Sequence, residues 1–252
     1  MLGETARAAG YRLIIREDVG STMEEARRAL RQGEPDRLWI VARSQSSGRG
    51  RHGRAWGSPP GNLYASLLLS QPCEPALAPQ LGFVAGLALH DAASALLGPE
   101  AARLKLKWPN DLLLDGAKLS GLLLEGESGA GRFDVILGCG VNVASCPSDT
   151  PYPATFLKAV APQATVEALL VALADAWARR FAAWSRPGGF GPVREAWLQR
   201  AAFLGDTITL RLPEGAVSGR FDGIDTTGRL ELGTASGSRL IDAGDLFFGT
   251  PR

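Results

Sequence analysis

The order of apolar and polar positions predicts strands that mostly follow one another directly, with a few helices between them. Tyr11 to Arg16 alternates as a half-buried strand does. Ser21-Thr22-Met23-Glu24 comes next. Glu24 stands three residues after Ser21, the spacing of a capping box, so a helix is predicted to about Arg31 with a stop near Gly33. Leu38 to Ala42 and Leu63 to Leu69 read as strands, the second entered from a Pro59-Pro60-Gly61-Asn62 turn. Pro79 to Leu97 is a long apolar helix. Gln80, His90, Asp91 and Ser94 interrupt it, which marks a buried core helix and not a membrane span.

Leu104 to Trp108 reads as a strand that ends at Pro109-Asn110-Asp111. Leu112 to Leu114, the Asp115-Gly116 turn and Lys118 to Glu127 form a hairpin, and Gly129-Ala130-Gly131 leads into a strand from Phe133 to Val143. Val166 to Trp184 has helical periodicity, Arg186-Pro187-Gly188-Gly189 breaks it, and a further helix covers Pro192 to Ala201. Strand following strand predicts an α+β domain over residues 1–204, a mixed or antiparallel sheet with helices on one face. From Gly205 the pattern becomes short strands at Thr207 to Leu212, Val217 to Ile224, Arg229 to Leu232, Ser238 to Ile241 and Leu246 to Phe248. This predicts a small all-β barrel over 205–252. Its 48 residues fall below the ~60 at which a domain stands easily alone, so docking on the main domain is expected.

Composition excludes several classes. The 252 residues carry 27 basic and 26 acidic side chains, net +1, which argues against broad nucleic-acid or membrane electrostatics. Three cysteines, Cys73, Cys139 and Cys146, form no C-x-x-C pair. A disulfide framework or zinc site is not expected, and a reducing cytoplasm is. No signal-peptide pattern opens the chain. The two histidines, His52 and His90, are too isolated for a metal site.

Against that neutral background one segment stands out. Arg43, Arg49, Arg51 and Arg54 fall within twelve positions, Gly48, Gly50 and Gly53 lie among them, and no acid occurs between Asp36 and Glu74. Such a loop can close over an anion with guanidinium and backbone N–H donors, and Trp56 adds an aromatic platform. It can equally be a solvated surface loop. Its literal G-x-G-x-x-G is not a dinucleotide fingerprint, because Gly57-Ser58-Pro59-Pro60-Gly61 forbids the helix that must follow. Lys105-Leu106-Lys107-Trp108-Pro109-Asn110-Asp111 reads first as a strand end whose Asn and Asp hold a turn. Lys118 can be an edge lysine. Gly138-Cys139-Gly140-Val141-Asn142 marks a bulge or the close approach of a ligand.

Taken in order, these elements resemble the biotin protein ligases: a Ser-Thr pair opening the first helix, Gln45, the Gly-Arg loop with Trp56, Lys-Trp-Pro-Asn-Asp, Lys-Leu-x-Gly and Gly-x-Gly-x-Asn. The resemblance covers nearly the whole chain. It implies a class II synthetase-like catalytic domain with a Src-homology-3-like barrel behind it. The implied activity has two steps. Biotin and ATP, with Mg2+ accompanying ATP, give biotinyl-5′-adenylate and pyrophosphate. A lysine of the biotin carboxyl carrier protein of acetyl-CoA carboxylase, or of another biotin-dependent carboxylase, then takes the biotinyl group. No permanently bound cofactor and no resident metal are implied. By resemblance, Ser21, Thr22, Met23, Gln45, Arg49, Gly50, Arg51, Lys118 and Gly121 surround biotin. Arg49, Arg51, Arg54, Trp56, Asn110, Lys118 and Asn142 surround ATP and the adenylate. Lys118, Arg51 and Asp111 carry the chemistry, with Asp111 positioning the incoming lysine.

Met23 stands where the family often has Asn, and Ser46-Ser47 where a Gln-Ala pair is frequent, so fine contacts differ. Only about twenty residues precede Ser21, too few for a helix-turn-helix module, and DNA binding is not expected. Exposed sheet edges are compatible with a monomer or a homodimer. One rival is a lipoate or octanoate ligase of the same scaffold, for which an Arg-Arg then Gly-Gly-Gly pattern is expected in the loop. Another is a Gly-Arg nucleic-acid module, which predicts salt-dependent affinity.

Overall fold

In the computed structural model, residues 1–129, 131–213, 215–242 and 245–247 are described. The chain opens with α1 (Glu4–Ala8), β1 (Arg12–Val19), α2 (Thr22–Arg31), β2 (Leu38–Gln45) and β3 (Leu63–Ser70). Next come α3 (Ala78–Leu97), β4 (Leu104–Lys107), β5 (Asp111–Leu114), β6 (Ala117–Gly129) and β7 (Arg132–Val141). The helices α4 (Val166–Trp184) and α5 (Phe190–Leu198) precede β8 (Thr207–Leu212), β9 (Gly215–Ile224), β10 (Leu230–Thr234), β11 (Gly237–Ile241) and β12 (Asp245–Phe247). The short α1 was not predicted, five residues being too few to show a helical period. The expected strand from Leu246 to Phe248 reaches beyond the described residues at Phe248.

Seven strands form one sheet in the order β1-β2-β3-β7-β6-β5-β4. Only β1 and β2 run parallel, and the other neighbours are antiparallel. The mixed sheet follows from the connections, since α2 is long enough to carry the chain back to the start of a parallel neighbour, while short turns join β4 to β5, β5 to β6 and β6 to β7 as antiparallel neighbours. Period-two alternation then sorts the side chains. Leu63, Ala65, Leu67 and Leu69 of β3 and Val135, Leu137, Cys139 and Val141 of β7 face the layer of α3, α4 and α5. The apolar helix α3 lies in that layer, buried along most of its length, as a core helix does.

The opposite face carries α2 alone, so helices do not all lie on one side. Met23, Ala26 and Ala29 pack there on Leu38, Ile40, Leu68 and Ile136. Arg27 pins this helix to β6 through Glu127, at 2.6 Å, and Glu125. Beyond the part of β6 and β7 under α2, no helix among the described residues covers that face, and the functional cleft lies there.

The last five strands form a second sheet in the order β11-β10-β9-β8-β12. Their apolar residues, including Ile208, Leu210, Phe221 and Ile224, join the same core as α3 and α5. The 225–229 turn also seats on Phe83, and a Cβ on Gly228 would lie 3.0 Å from that ring. The small sheet is docked on the rest of the chain, as its length requires.

Candidate active site

The floor of the cleft is built from glycine. Gly121 of β6 pairs with Gly140 of β7, and Gly138 follows two residues away on the same face. A cavity of about 260 Å3 opens over this bare patch of sheet. A Cβ on Gly140 would stand 2.6 Å from the Trp56 indole, and one on Gly138 would stand 2.7 Å from the Met23 sulfur. The glycines therefore mark close approach and not a bulge, since β6 and β7 pair without a register shift. Cys139, between two of these glycines, turns to the helical face. Burial pushes its thiol up to about 12, so it stays protonated and is no nucleophile.

One end of the cleft is the N-terminus of α2. The expected capping box is not formed, because the Ser21 side chain makes no cap hydrogen bond. Gln45 takes over that duty. Its Oε1 accepts from the Thr22 N–H at 2.8 Å and from the Thr22 hydroxyl at 3.1 Å. The network continues on both sides. Ser66 Oγ donates to Thr22 Oγ1 at 2.8 Å, Gln45 Nε2 donates to Ser58 Oγ at 2.9 Å, and Ser58 Oγ donates to the Trp56 carbonyl at 2.9 Å. Thus Ser21, Thr22, Met23 and Gln45 meet at the cleft. The signal for Ser66 is a small hydroxyl residue inside the otherwise apolar run Leu63 to Leu69.

The Gly-Arg segment closes into a small hairpin across the cleft. Trp56 N–H donates to Gly48 O at 2.9 Å, Gly50 N–H donates to Arg54 O at 2.8 Å, and the turn lies at Arg51–Gly53. Gly48 admits no side chain, because a Cβ there would meet Ser58 Oγ and the Trp56 carbonyl at 2.6 Å. Arg49, Gly50, Arg51, Arg54 and Trp56 all line the cleft. The arginines lack acidic neighbours in sequence, but folding brings Glu24 of α2 to Arg49, and the same carboxylate also pairs with Arg27. Arg51 Nη1 donates to Asn110 Oδ1 at 3.4 Å, and Asn110 in turn donates to the carbonyl of Leu122 on β6.

Lys118 and Asp111 come together at the other end. The ammonium is 2.7 Å from Asp111 Oδ1, with side chains only 17% and 11% exposed. The contact is ionic and not an aligned hydrogen bond, since Oδ1 has no hydrogen-bond partner of good geometry. Lys107, which the motif reading passed over as a site residue, is 3.8 Å from Asp111 Oδ2 and also lines the cleft. Two ring faces flank the Lys118 ammonium, Trp56 at 5.6 Å and Tyr152 at 5.3 Å. Tyr152 belongs to a Pro-Tyr-Pro segment that carries no recognisable motif.

Asn142 is placed differently from the other expected site residues. It is buried outside the cleft lining, and its Nδ2 donates to the Thr155 carbonyl at 2.9 Å. In this arrangement it fastens the 150–155 segment and does not face the cavity.

Comparison with known proteins agrees with this geometry. Residues 17–142 match the Biotin/lipoate A/B protein ligase family, and residues 203–249 match the biotin protein ligase C-terminal domain. A biotin--[acetyl-CoA-carboxylase] ligase of Paracoccus denitrificans is 43% identical over 245 residues, covering 94% of this chain and 100% of that protein. The protein of the same name from Mycobacterium tuberculosis is 30% identical over 250 residues, 94% of this chain and 90% of the other. Among solved structures, the biotin protein ligase from Aquifex aeolicus in complex with biotin and ATP aligns with a TM-score of 0.79 at 28% identity, covering 93% of this chain and 97% of that one. With its motifs, fold and cleft in agreement over nearly the full length, the chain belongs to the biotin/lipoate A/B protein ligase family.

Proposed function

We propose that the glycine-floored cleft activates biotin with ATP and hands the biotinyl group to a carrier lysine, with Lys118 as the anion-holding residue. The reading follows a relative that is a biotin--[acetyl-CoA-carboxylase] ligase and a solved biotin protein ligase in complex with biotin and ATP; the acceptor in this reading is a biotin carboxyl carrier domain. The observation that carries the residue roles is one ammonium, Lys118, set over a side-chain-free floor beneath an arginine-bearing hairpin.

In the first step a carboxylate oxygen of biotin attacks the α-phosphorus of ATP, a P–O bond forms, and pyrophosphate leaves. This chemistry depends on positioning and charge stabilisation. Lys118 holds the carboxylate and the α-phosphate as a compact point charge, while Arg49, Arg51 and Arg54 meet the remaining oxygens. Thr22 and Gln45, fixed by their shared network, hold the head of biotin. When the ammonium turns toward the phosphate it releases Asp111 Oδ1, which then accepts from the ε-ammonium of the carrier lysine. In the second step that ammonium first gives up one proton to solvent, the neutral amine nitrogen attacks the acyl carbon, the acyl C–O bond breaks with AMP as the leaving group, and the second proton passes to solvent as the amide forms. Asp111 is set to steer that nitrogen.

As part of the same reading the enzyme works in the cytoplasm without contacting DNA, in accord with three cysteines that form no disulfide. We also propose 1–204 and 205–252 as its two domains, in accord with a second sheet that begins at Thr207. The test of the activity supplies ATP, Mg2+ and either biotin or lipoate, and measures pyrophosphate. Release with biotin and not with lipoate is expected; the reverse overturns the assignment.

A further inference from the structure

The segment that follows Asn142 brings Tyr152 into the cleft lining, and hydrogen bonds hold its backbone on both sides of that residue. Lys118 N–H donates to the Pro153 carbonyl at 2.8 Å, and Thr155 N–H donates to the Lys118 carbonyl at 3.0 Å. Lys118 and Ala154 thus form a parallel bridge beside the start of β6. The Asn142 amide fastens the far end at Thr155, and Thr150 Oγ1 donates to the Tyr152 carbonyl at 2.6 Å. Tyr152 stands between Pro151 and Pro153. A proline fixes its own φ and keeps the preceding residue extended, so little backbone freedom is left to Tyr152.

We infer that Tyr152 is a positioning residue for Lys118: with Trp56 it forms an aromatic slot that keeps the ammonium over the glycine floor while it exchanges Asp111 for an incoming anion. The argument rests on charge. Asp111, 2.7 Å away, holds the ammonium by neutralising it, and an ammonium so neutralised is a poor partner for a phosphate. An aromatic face attracts a cation through its quadrupole and leaves the full charge in place. Rings at 5.3 and 5.6 Å confine the ammonium laterally without competing for its charge. A lysine stem is flexible and loses much freedom when it binds an anion. A preformed slot removes part of that cost before ATP arrives.

This inference rests on the reading of Lys118 as the anion-holding residue, and the experiment separates the two. Parent enzyme, Lys118→Ala, Tyr152→Phe and Tyr152→Leu are compared by single-turnover pyrophosphate release with biotin, ATP and Mg2+, and by equilibrium biotin binding. Removing one cation–π face is expected to slow Tyr152→Leu by roughly 3- to 30-fold, with a smaller loss of biotin affinity, because Thr22 and Gln45 still hold the head of biotin while Lys118 meets its carboxylate. Tyr152→Phe, which keeps the ring, is expected to stay within about twofold in rate. Tyr152 is 38% exposed, so the denaturant midpoint of the leucine variant should match the parent. If Lys118→Ala retains the parent rate, the reading of Lys118 fails. If Lys118→Ala is inactive and Tyr152→Leu runs at the parent rate, only the slot fails. A phenylalanine variant as slow as the leucine variant, or a loss of biotin affinity equal to the loss of rate, also overturns it.

Discussion

Replacing Lys118 with alanine should do two separable things, and the structure sets the size of each. The ammonium makes the nearest ionic contact of Asp111 among the described residues, 2.7 Å away, and its loss leaves Lys107, at 3.8 Å, as the cation beside a carboxylate that is 11% exposed. An ion pair this close to the surface contributes less than a fully buried one. Leaving its carboxylate half-compensated should cost about 1–2 kcal/mol of stability. For a chain of this length that lowers Tm by roughly 2–8 °C. The catalytic effect is larger. A charge-assisted contact to substrate is worth about 1.5–3 kcal/mol in static terms, and more where the charge meets the transition state, so adenylate formation should fall by at least ten- to hundred-fold. The double variant Lys118→Ala/Asp111→Asn tells the effects apart. Removing the stranded charge should restore the midpoint of denaturation, while pyrophosphate release stays lost. Single-turnover release and urea unfolding on the three proteins make the measurement. Lys118→Ala with an unchanged single-turnover rate would show a lysine that only balances Asp111. A double variant as unstable as the single would show that the ion pair is not the reason for the instability.

Arg51→Gly removes one clamp over the reactive mixed anhydride while leaving Thr22, Gln45 and Lys118 in place, so the variant should biotinylate an unrelated lysine-rich protein that the parent ignores. A blot for biotin reads this out, and a variant that makes adenylate yet labels no bystander counts against the clamp. The Gly-Arg hairpin should be cut by trypsin at Arg49, Arg51 and Arg54 faster in the absence of biotin and ATP than in their presence; equal rates sink the idea that ligand closes it. Burial, reinforced by nearby Arg200, pushes His90 down from 6.5 to about 4, so the unfolded chain takes up that proton first. The stability His90 contributes is complete above pH 6.5 and is lost as pH falls toward 4, by about 1–2 kcal/mol once its partial exposure is allowed for. His90→Gln should flatten urea midpoints between pH 7 and 5, and an unaltered slope refutes the assignment.

The sequence by itself determined the elements and the family. A continuous apolar run placed β3 within a residue, because a strand covered on both faces is apolar throughout; period-two alternation placed β8 and helical periodicity placed α4 to the residue, because in each of these one face is apolar and buried. The Gly-Arg, Lys-Trp-Pro-Asn-Asp and Lys-Leu-x-Gly segments announced their chemistry because small residues and fixed charges at short spacing have few structural uses. Residues near in space and far in sequence were decided only by tertiary structure. Gln45, not Ser21, caps α2, because the parallel pairing of β1 and β2 delivers its side chain to that helix end. Glu24 meets Arg49 because the hairpin folds back over α2, a pairing that nothing in the loop's own sequence announces. Met23 fills the space over Gly138, and Trp56 covers Gly140, each a contact between elements that only the sheet brings together. Tyr152 and Ser58 reached the cleft and its network with no motif to mark them. Local patterning is set by which face of an element must be dry, and it is written along the chain. The partners of a polar side chain are set by strand order and register, which depend on the packing of the whole core and are written nowhere in a single segment.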